Sequence, residues 1–304
     1  ALKNKGFQIG RLKTGTPPRL LSNTINWDLA KESPGDTAPE PFSLYTKRPF
    51  KTKQDPCFII NTNKHVHSVI NNNIKKSAMF SGKIEATGPR YCPSIEDKVF
   101  RFSQNPSHML FLEPEWKNSE QIYLNGFSTS LPREVQIKAL QKIPALKNVE
   151  LIRPGYAIEY DYSPPYQLTN TLMSKKIRGL FFAGQMNGTS GYEEAGAQGL
   201  VAGANALLYI NKQEPLILNR QNSYIGVMID DLITSHLDEP YRMFTSRAEH
   251  RLFLRADNCY DRLFKDAKKY NLLTRTQRSC CEDFLSSTNK INKWVKKEKI
   301  KLTK

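Results

Sequence analysis

The amino-acid sequence predicts an α/β fold built around a glycine-rich loop that joins a buried strand to a helix. Residues 177–182 form a short apolar and aromatic run, which is typical of a buried strand. The residues from Tyr192 to about Tyr209 contain no proline and repeat their apolar side chains at helical spacing. Short strand-like runs upstream and a basic, helix-like region downstream predict a sheet-rich insertion before this loop and helices after it.

The elements before the loop follow from hydrophobic periodicity and from end signals. Strands are predicted at 57–61, 109–112, 121–124, 149–152 and 156–161. Helices are predicted at 64–76, from about residue 95, and at 132–143. Thr62 or Asn63 is suited to cap the first of these helices, and Pro132 falls in the first turn of the last.

Composition argues against several classes of protein. Of the 304 residues, 39% are hydrophobic and 24% are charged, as in ordinary globular proteins, and no apolar run is long enough to predict a membrane span. The five cysteines form no CxxC pair, so neither a disulfide framework nor a zinc site is expected. This cysteine usage fits a reducing compartment; we expect the cytoplasm, with the mitochondrial matrix as the alternative.

The chain carries a formal net charge of +16, and most of it lies near the C-terminal end. Residues 241–304 contain 17 Lys+Arg against 7 Asp+Glu, a local charge of +10. A basic region of this kind indicates a polyanionic partner such as nucleic acid. The alternative is an AT-rich genome, whose codons favour lysine and asparagine, and the run INNNIKKS at 70–77 is consistent with it.

The glycine-rich loop is the first candidate site. A glycine loop before a helix N-terminus presents backbone N–H groups and a positive dipole end, which suits an anionic or electron-rich ligand. For a flavin, that dipole would stabilise the negative charge of the reduced ring, and Gln185 and Asn187 would be placed to hydrogen-bond the ring edge or the ribityl chain. From the residues alone, a plain tight turn is the alternative.

The second candidate site is GPRYCPSIEDKVFRF, residues 88–102. Ser94 followed by Asp97 predicts a capped helix that begins near Ile95. Cys92 then lies just before a helix N-terminus and two residues from Arg90, and both features favour the thiolate form of its side chain. The same helix start is suited to a phosphate, while a buried, inert cysteine is the alternative.

The third candidate site is EPYRMFTSRAEHRLFLRADN, residues 239–258. Ser246 and Glu249 have the spacing of a capping box, which predicts a helix over this segment. Arg247, Arg251 and Arg255 recur every four residues, so they would line one face of that helix and suit a phosphate backbone. A solvated basic face is the alternative.

These segments, together with RLKTGTPPR at 11–19, resemble the MnmG (GidA) family of FAD-dependent tRNA uridine 5-carboxymethylaminomethyl modification enzymes. The similarity runs from Gly10 to about Leu263. It also includes FLEPE at 111–115, STSLP at 128–132, RPGYAIEYD at 153–161 and GLFFAGQMNGTSGYEEA at 179–195. As an ordered set these motifs are highly specific.

The resemblance implies a fold, a reaction and a set of partners. The implied fold is a partial glutathione-reductase-like FAD-binding domain at 1–18 and 161–212, an inserted α+β domain at 19–160 and a helical, basic C-terminal region at 213–304. The implied reaction adds an aminomethyl or carboxymethylaminomethyl group to the 5-position of the wobble uridine of certain tRNAs. FAD, NADH and methylene-tetrahydrofolate are the implied cofactors and co-substrate, and the implied partners are an MnmE-type GTPase and a second copy of the chain.

The resemblance also assigns residues. It gives Cys92 a catalytic role; either Cys92 or a second family cysteine that lies outside these residues would add to the 6-position of the uridine and so activate the 5-position. It assigns FAD binding to Gly184, Gln185, Asn187, Gly188, Gly191, Tyr192 and Glu193. It assigns nicotinamide nucleotide binding to Gly88, Pro89, Arg90, Tyr91, Cys92, Pro93, Ser94, Ile95, Glu96, Asp97, Lys98, Val99, Phe100, Arg101 and Phe102. The expected RNA-binding residues are Arg242, Arg247, Arg251 and Arg255.

One departure from the family pattern limits these expectations. The G-x-G-x-x-G turn that holds the FAD pyrophosphate in this family is absent from the 304 residues. We therefore expect the sequence to be part of a longer chain, and we expect these residues alone to bind FAD weakly or not at all and to be inactive. The alternatives are the sister folate- and FAD-dependent tRNA uridine 5-methyltransferase and an RNA-binding protein without flavin chemistry.

Overall fold

Two antiparallel sheets and seven α-helices form the fold of the computed structural model, which describes residues 1–82, 86, 88, 94–236 and 239–298. The strands are β1 (Gly10–Thr16), β2 (Arg19–Leu21), β3 (Lys31–Ser33), β4 (Cys57–Asn61), β5 (Met109–Pro114), β6 (Gln121–Asn125), β7 (Leu151–Arg153) and β8 (Tyr156–Tyr162). The helices are α1 (Lys64–Asn73), α2 (Ile95–Arg101), α3 (Arg133–Leu140), α4 (Tyr192–Ile210), α5 (Tyr224–Thr234), α6 (Cys259–Lys269) and α7 (Arg275–Lys297).

The larger sheet has the strand order β3-β4-β5-β6-β2-β7. Alternate residues of its central strands are buried, as in Leu110 and Leu112 of β5 and in Ile122 and Leu124 of β6. This periodicity of two directs one face of the sheet toward the apolar sides of α1, α2 and α3 and forms the first hydrophobic core.

The smaller sheet pairs β1 with β8 along their full length, from Gly10 opposite Tyr162 to Thr16 opposite Tyr156. Because the larger sheet lies between these two strands in the chain, the β1–β8 pair forms the connection between it and the rest of the molecule. The second hydrophobic core begins beyond this pair, where α4 and α5 pack against Phe7 and the 168–182 segment.

Local signals in the sequence predicted most of the elements before the loop. Strand β4 has the predicted limits, and Asn63 caps α1 by accepting hydrogen bonds from the backbone N–H groups of His65 and Val66. Ser94 and Asp97 form the predicted capping box of α2, and α4 begins at the predicted Tyr192. The mixed α and β character expected from the sequence is confirmed.

The predicted strand at 177–182 does not form. Within the described residues the segment makes one isolated bridge, between Met173 and Phe181, and no ladder. Gly179, with a φ of 82°, interrupts the extended run, and Ser174 Oγ binds the N–H of Ile177 in a turn. The apolar side chains are instead used in the second core.

The predicted helix over the arginines of 247–255 is also wrong. The chain makes a single 3-10 turn at Thr245–Arg247 and continues in extended and turn conformations until α6 begins at Cys259. Glu249 binds Arg220 of a distant segment instead of capping a helix with Ser246. Tertiary ion pairs therefore override the local capping signal, and the three guanidinium groups do not share a helical face.

Helix α4 is apolar on its outer side as well as on the side it buries. A Cβ added at Gly196, Gly199 or Gly203 would meet only open space, and Leu207 and Ile210 are 61% and 73% exposed. Nevertheless, none of the helices that the structure describes has the length and apolar character of a transmembrane span.

Candidate functional site

The glycine-rich loop and the start of α4 form a compact turn whose shape depends on glycine. Residues Gly184–Asn187 make a 3-10 turn, and Gly184 and Gly188 both have a positive φ, 70° and 75°. A side chain at Gly188 would press on Leu12 of β1 and on the ring of Tyr162. Both positions therefore need glycine for conformation, and Gly188 also needs it for space.

A buried glutamine on α4, which the sequence analysis did not single out, fixes this loop. Gln198 Oε1 accepts hydrogen bonds from the backbone N–H of Gly184 (2.9 Å) and from Asn187 Nδ2 (2.9 Å), while its Nε2 donates to Thr189 Oγ1 (2.8 Å). Gln198 is fully buried. Its only sequence signal was a polar residue at the seventh position of α4, which does not reveal its partners in the loop.

The predicted FAD residues fall into two groups. Gly184, Asn187, Gly188 and Gly191 are buried, whereas Gln185, Tyr192 and Glu193 are exposed. Asn187 donates to Phe182 O and to Gln198, but its Oδ1 is buried without a hydrogen-bond partner among the described residues. The positive end of a 19-residue helix beside two left-handed glycines fits the binding of an electron-rich group here, while the orphaned Asn187 acceptor calls for a hydrogen-bond donor.

The third candidate segment lies directly on the first. The backbone N–H of Tyr241 donates to Gly188 O (2.9 Å), and Tyr241 forms a parallel bridge with Thr189. The buried carboxylate of Glu194 accepts from the N–H of Met243 (2.9 Å) and lies 3.9 Å from Arg242 Nε. The structure therefore brings the glycine loop and the EPYRMF segment together.

A cleft of about 400 Å³ opens where these segments meet. It lies between the N-terminal turns of α4 and α5 and is closed on one side by residues 242–243. Its lining residues are Glu193, Glu194, Ala197, Tyr224, Ile225, Met228, Arg242 and Met243. Apolar and aromatic walls with a few charged groups at one edge are typical of a small-molecule or nucleobase site.

Arg220, another residue that the sequence analysis missed, holds the third segment against α5. Its guanidinium binds Asp231 (2.5 Å), Asp230 (3.1 Å) and Glu249 (2.6 Å) and donates to the carbonyl of Arg247 (3.0 Å). Its hydrogen bonds to Glu249 and Asp231 raise the pKa of the Arg220 guanidinium, so this charge is permanent. We call Arg220, Asp230, Asp231, Glu249 and Arg247 the Arg220 cluster.

The four predicted RNA-binding arginines have different surroundings. Arg247 stacks on the Tyr241 ring, 4.6 Å from its centroid, and pairs with Asp231, so it is largely structural. Arg255 binds Asp257 at 2.8 Å. Arg251 is exposed and makes no hydrogen bond or ion pair within the described part of the chain, and Arg242 lines the cleft.

Part of the second candidate segment lies outside the described residues, namely Pro89, Arg90, Tyr91, Cys92 and Pro93. Its helix α2 packs Ile95 and Val99 into the first core, while Phe100 and Phe102 are exposed. Glu96 is fully buried, and its Oε1 accepts from Ser77 Oγ (2.9 Å), Thr129 Oγ1 (3.0 Å) and the N–H of Ser130 (3.0 Å). Glu96 thus ties this segment to the STSLP motif.

Strand β1 connects the two regions. Leu12 is buried and contacts Gly188 of the loop, and the neighbouring Lys13 lies against Gly88 at the start of the second segment. Successive residues of a strand point to opposite faces, so adjacent residues of RLKTGTPPR reach both candidate regions. Among the described residues, no group of three His, Cys, Asp or Glu side chains is arranged to hold a metal ion.

The sequence and the fold are both similar to those of known proteins. The family model for glucose inhibited division protein A, GIDA, matches residues 1–214. The tRNA uridine 5-carboxymethylaminomethyl modification enzyme MnmG of Chlorobium chlorochromatii is 54% identical over 268 residues, which cover 88% of this chain and 43% of that protein. MnmG of Karelsulcia muelleri is 49% identical over 312 residues, covering 99% of this chain and 51% of that one.

A solved structure agrees. The fold superposes on GidA of Aquifex aeolicus in its form I crystal with a TM-score of 0.91 and 47% identity, covering 98% of this chain and 51% of that one. The chain thus spans about half the length of the relatives it matches. The resemblance drawn from the motifs is confirmed, and the chain belongs to the glucose inhibited division protein A (GidA, MnmG) family.

Proposed function

We propose that this chain takes part in FAD-dependent modification of the wobble uridine of certain tRNAs, adding an aminomethyl or carboxymethylaminomethyl group to its 5-position. The names of the relatives support this reaction. The observation that carries the proposal is the union of the glycine loop with the EPYRMF segment through Tyr241–Gly188 and Glu194–Met243. One segment is suited to a flavin and the other to RNA, and a single cleft lies at their junction.

The residues of the loop would hold the flavin. Gly184 and Gly188 give the loop its left-handed turns, Gly191 precedes the first turn of α4, Asn187 Oδ1 is an acceptor without a partner among the described residues, and Gln185, Tyr192 and Glu193 border the loop. Bound FAD would supply redox chemistry for transfer of the one-carbon unit of methylene-tetrahydrofolate. The N-terminus of α4 would stabilise negative charge at the ring edge.

We further propose that the segment 88–102 binds the nicotinamide nucleotide that reduces the flavin, with Cys92 as the nucleophile toward the uridine. The position of this segment beside Lys13 of β1, whose neighbour Leu12 contacts the flavin loop, supports the pairing of the two regions.

A Cys92→Ser variant of the intact enzyme tests the catalytic role. A serine hydroxyl is a far weaker nucleophile than a thiolate, so modification should be lost while bound flavin, measured by its absorbance, is retained. Unchanged activity would remove Cys92 from the mechanism.

The proposal extends to domains and partners. We propose domain boundaries at 18, 160 and 212; the β1–β8 pair, which lies on either side of the larger sheet in the chain, supports an inserted domain between the first two. The α6 and α7 helices of 213–304 carry many lysines and arginines and would face tRNA, with Arg242, Arg251 and Arg255 nearest to it. An MnmE-type GTPase, a homodimeric assembly and a cytoplasmic location complete the proposal.

Mass spectrometry of tRNA nucleosides from cells in which the gene is disrupted tests the function. We expect the 5-substituted wobble uridines to disappear while 5-methyluridine is retained. Loss of 5-methyluridine instead would identify the sister methyltransferase activity, and an unchanged nucleoside profile would contradict both.

A further inference from the structure

We propose that the cleft between α4 and α5 is the pocket for the uracil base, with Arg242 reading the hydrogen-bonding edge of that base. This inference rests on the proposed function, because it names where the substrate of that reaction binds. Enzymes that modify a base extrude it from the RNA stack into a pocket and read its edge by hydrogen bonds and its faces by stacking.

The walls of the cleft suit the faces of a pyrimidine. Tyr224 provides an aromatic surface, and the side chains of Ile225, Met228 and Met243 provide flat or adaptable apolar contacts. The volume of about 400 Å³ is enough for a base with its ribose. The cleft opens beside the first turn of α4, which is the part of the helix that adjoins the glycine loop.

The charges of the cleft favour a neutral ring over a phosphate. Glu193 and Glu194 face a single arginine, Arg242, so the lining carries a formal charge of −1 and would repel a phosphate group. Arg242 is half-exposed, and its nearest carboxylate oxygen, on Glu194, is 3.9 Å away, so the guanidinium keeps N–H donors for a ligand.

The edge of uracil complements this arrangement. Uracil presents two carbonyl acceptors on either side of an N3–H donor, whereas cytosine has an amino donor at the 4-position and an acceptor nitrogen at N3. An arginine that faces the 4-position accepts uracil and rejects cytosine, since an amino group cannot accept its hydrogen bond. Glu194 is held by Met243 N–H and fixes the backbone that carries Arg242.

Binding of an anticodon stem–loop RNA to the intact, flavin-loaded enzyme tests the inference. We measure fluorescence anisotropy with uridine and with cytidine at the wobble position, for the unchanged chain, for Arg242→Gln and for Arg133→Gln. Arg133 is an exposed residue of α3 far from the cleft in the sequence, so its variant matches the change in charge. We expect about a tenfold preference for uridine that Arg242→Gln abolishes and Arg133→Gln preserves.

A photochemical crosslink locates the base independently of affinity. RNA with 5-iodouridine at the wobble position should crosslink to Tyr224 or Met243, within the tryptic peptides 221–242 or 243–247. Binding without a preference for uridine, or a crosslink confined to other peptides, would overturn the pocket and leave the proposed function standing. Complete absence of RNA binding would contradict the proposed function itself.

Discussion

Gln198 and Asn187 illustrate, at the scale of single residues, how polar side chains inside α4 and the loop determine the shape of the site. Both are fully buried, and between them they bind the backbone of Gly184 and Phe182 and the hydroxyl of Thr189. The glycines of this loop could be recognised from sequence because they mark a turn. Gln198 could not, because its role depends on a loop that folds back over the helix.

Replacing Gln198 by Leu should destabilise the protein by about 2–4 kcal/mol, because the N–H of Gly184 and the amide of Asn187 each lose a buried acceptor. Urea unfolding followed by circular dichroism measures the free energy. Gln141→Leu, at an exposed position after α3, is the matched control and should change the free energy of unfolding little. Equal stability of both variants would show that the loop does not depend on Gln198.

His67 of α1 and the half-buried His108, which precedes β5, form a second polar pair. The centroids of their rings lie 5.1 Å apart. The Thr62 hydroxyl accepts a hydrogen bond from the backbone N–H of His108 and lies 2.8 Å from His67 Nε2. Burial lowers the pKa of His67, and burial together with His67 lowers the pKa of His108. Both rings are therefore held neutral in the folded protein.

The lowered pKa values of these two histidines make the stability of the protein depend on pH. Below about pH 6.5 both histidines become protonated more readily in the unfolded chain than in the folded chain. The unfolded state therefore binds more protons, and the free energy of unfolding decreases as the pH is lowered. We expect a lower urea midpoint at pH 5.5 than at pH 7.5. A His67→Gln, His108→Gln double variant should show a smaller decrease, while the exposed His65→Gln control should match the unchanged protein. An equal decrease in the urea midpoint of the unchanged protein, the double variant and the control would exclude His67 and His108 as the cause.

At the scale of elements, the accuracy of the sequence predictions depends on whether the signal is local. Helices α1 and α2 begin where their caps predict, since a cap binds N–H groups two or three residues away. The 177–182 strand fails because Gly179 and a turn bonded by Ser174 interrupt it, whereas the 247–255 helix fails because its conformation is set by a partner far away in the chain. For 247–255, that partner is Arg220.

Several residues of the motifs shared with the family make contacts that support the fold. Arg19, which ends RLKTGTPPR, pairs with Glu115, which ends FLEPE, at 2.8 Å. Gly155 of RPGYAIEYD lies so close to Thr16 and Thr129 that a side chain would not fit. These residues hold the sheets together, so their presence in the motifs reports on the fold and not on contact with a ligand.

The Arg220 cluster predicts how the third segment responds to the loss of one side chain. In Arg220→Met, the segment 241–249 loses its bonds from Glu249 and Arg247 O to Arg220 and keeps the contacts of Tyr241 and Arg247 to Asp231, so trypsin should cleave faster after Arg242, Arg247 and Arg251. Limited proteolysis with mass spectrometry of the products measures this rate. Arg278→Met, which removes an exposed pair with Glu282 within α7, should leave those three cleavage rates unchanged. Similar rates in both variants would show that other contacts hold the segment.

At the scale of the whole molecule, the β1–β8 pair places the candidate regions of both cores next to each other. One core carries the sheet and α2, the other carries the glycine loop and α4, and Leu12 and Lys13 of β1 contact Gly188 and Gly88 respectively. This arrangement was not accessible from periodicity, because it joins residues separated by about half the chain. The family resemblance assigned a function to each region but did not imply that the two regions lie next to each other.

The 304 residues as a unit should bind flavin weakly or not at all. The glycine loop and α4 offer contacts to the ring, but the sequence contains no G-x-G-x-x-G turn to bind the pyrophosphate, and the outer side of α4 leaves Leu207 and Ile210 exposed. We expect isothermal titration of this chain with FAD to give weak binding or none. Riboflavin, which lacks the phosphates, is the matched probe and should bind no more weakly than FAD, since the proposed contacts involve only the ring and its side chain. Tight, stoichiometric FAD binding with weak riboflavin binding would contradict this, because the chain would then have to hold the phosphates by groups other than that turn.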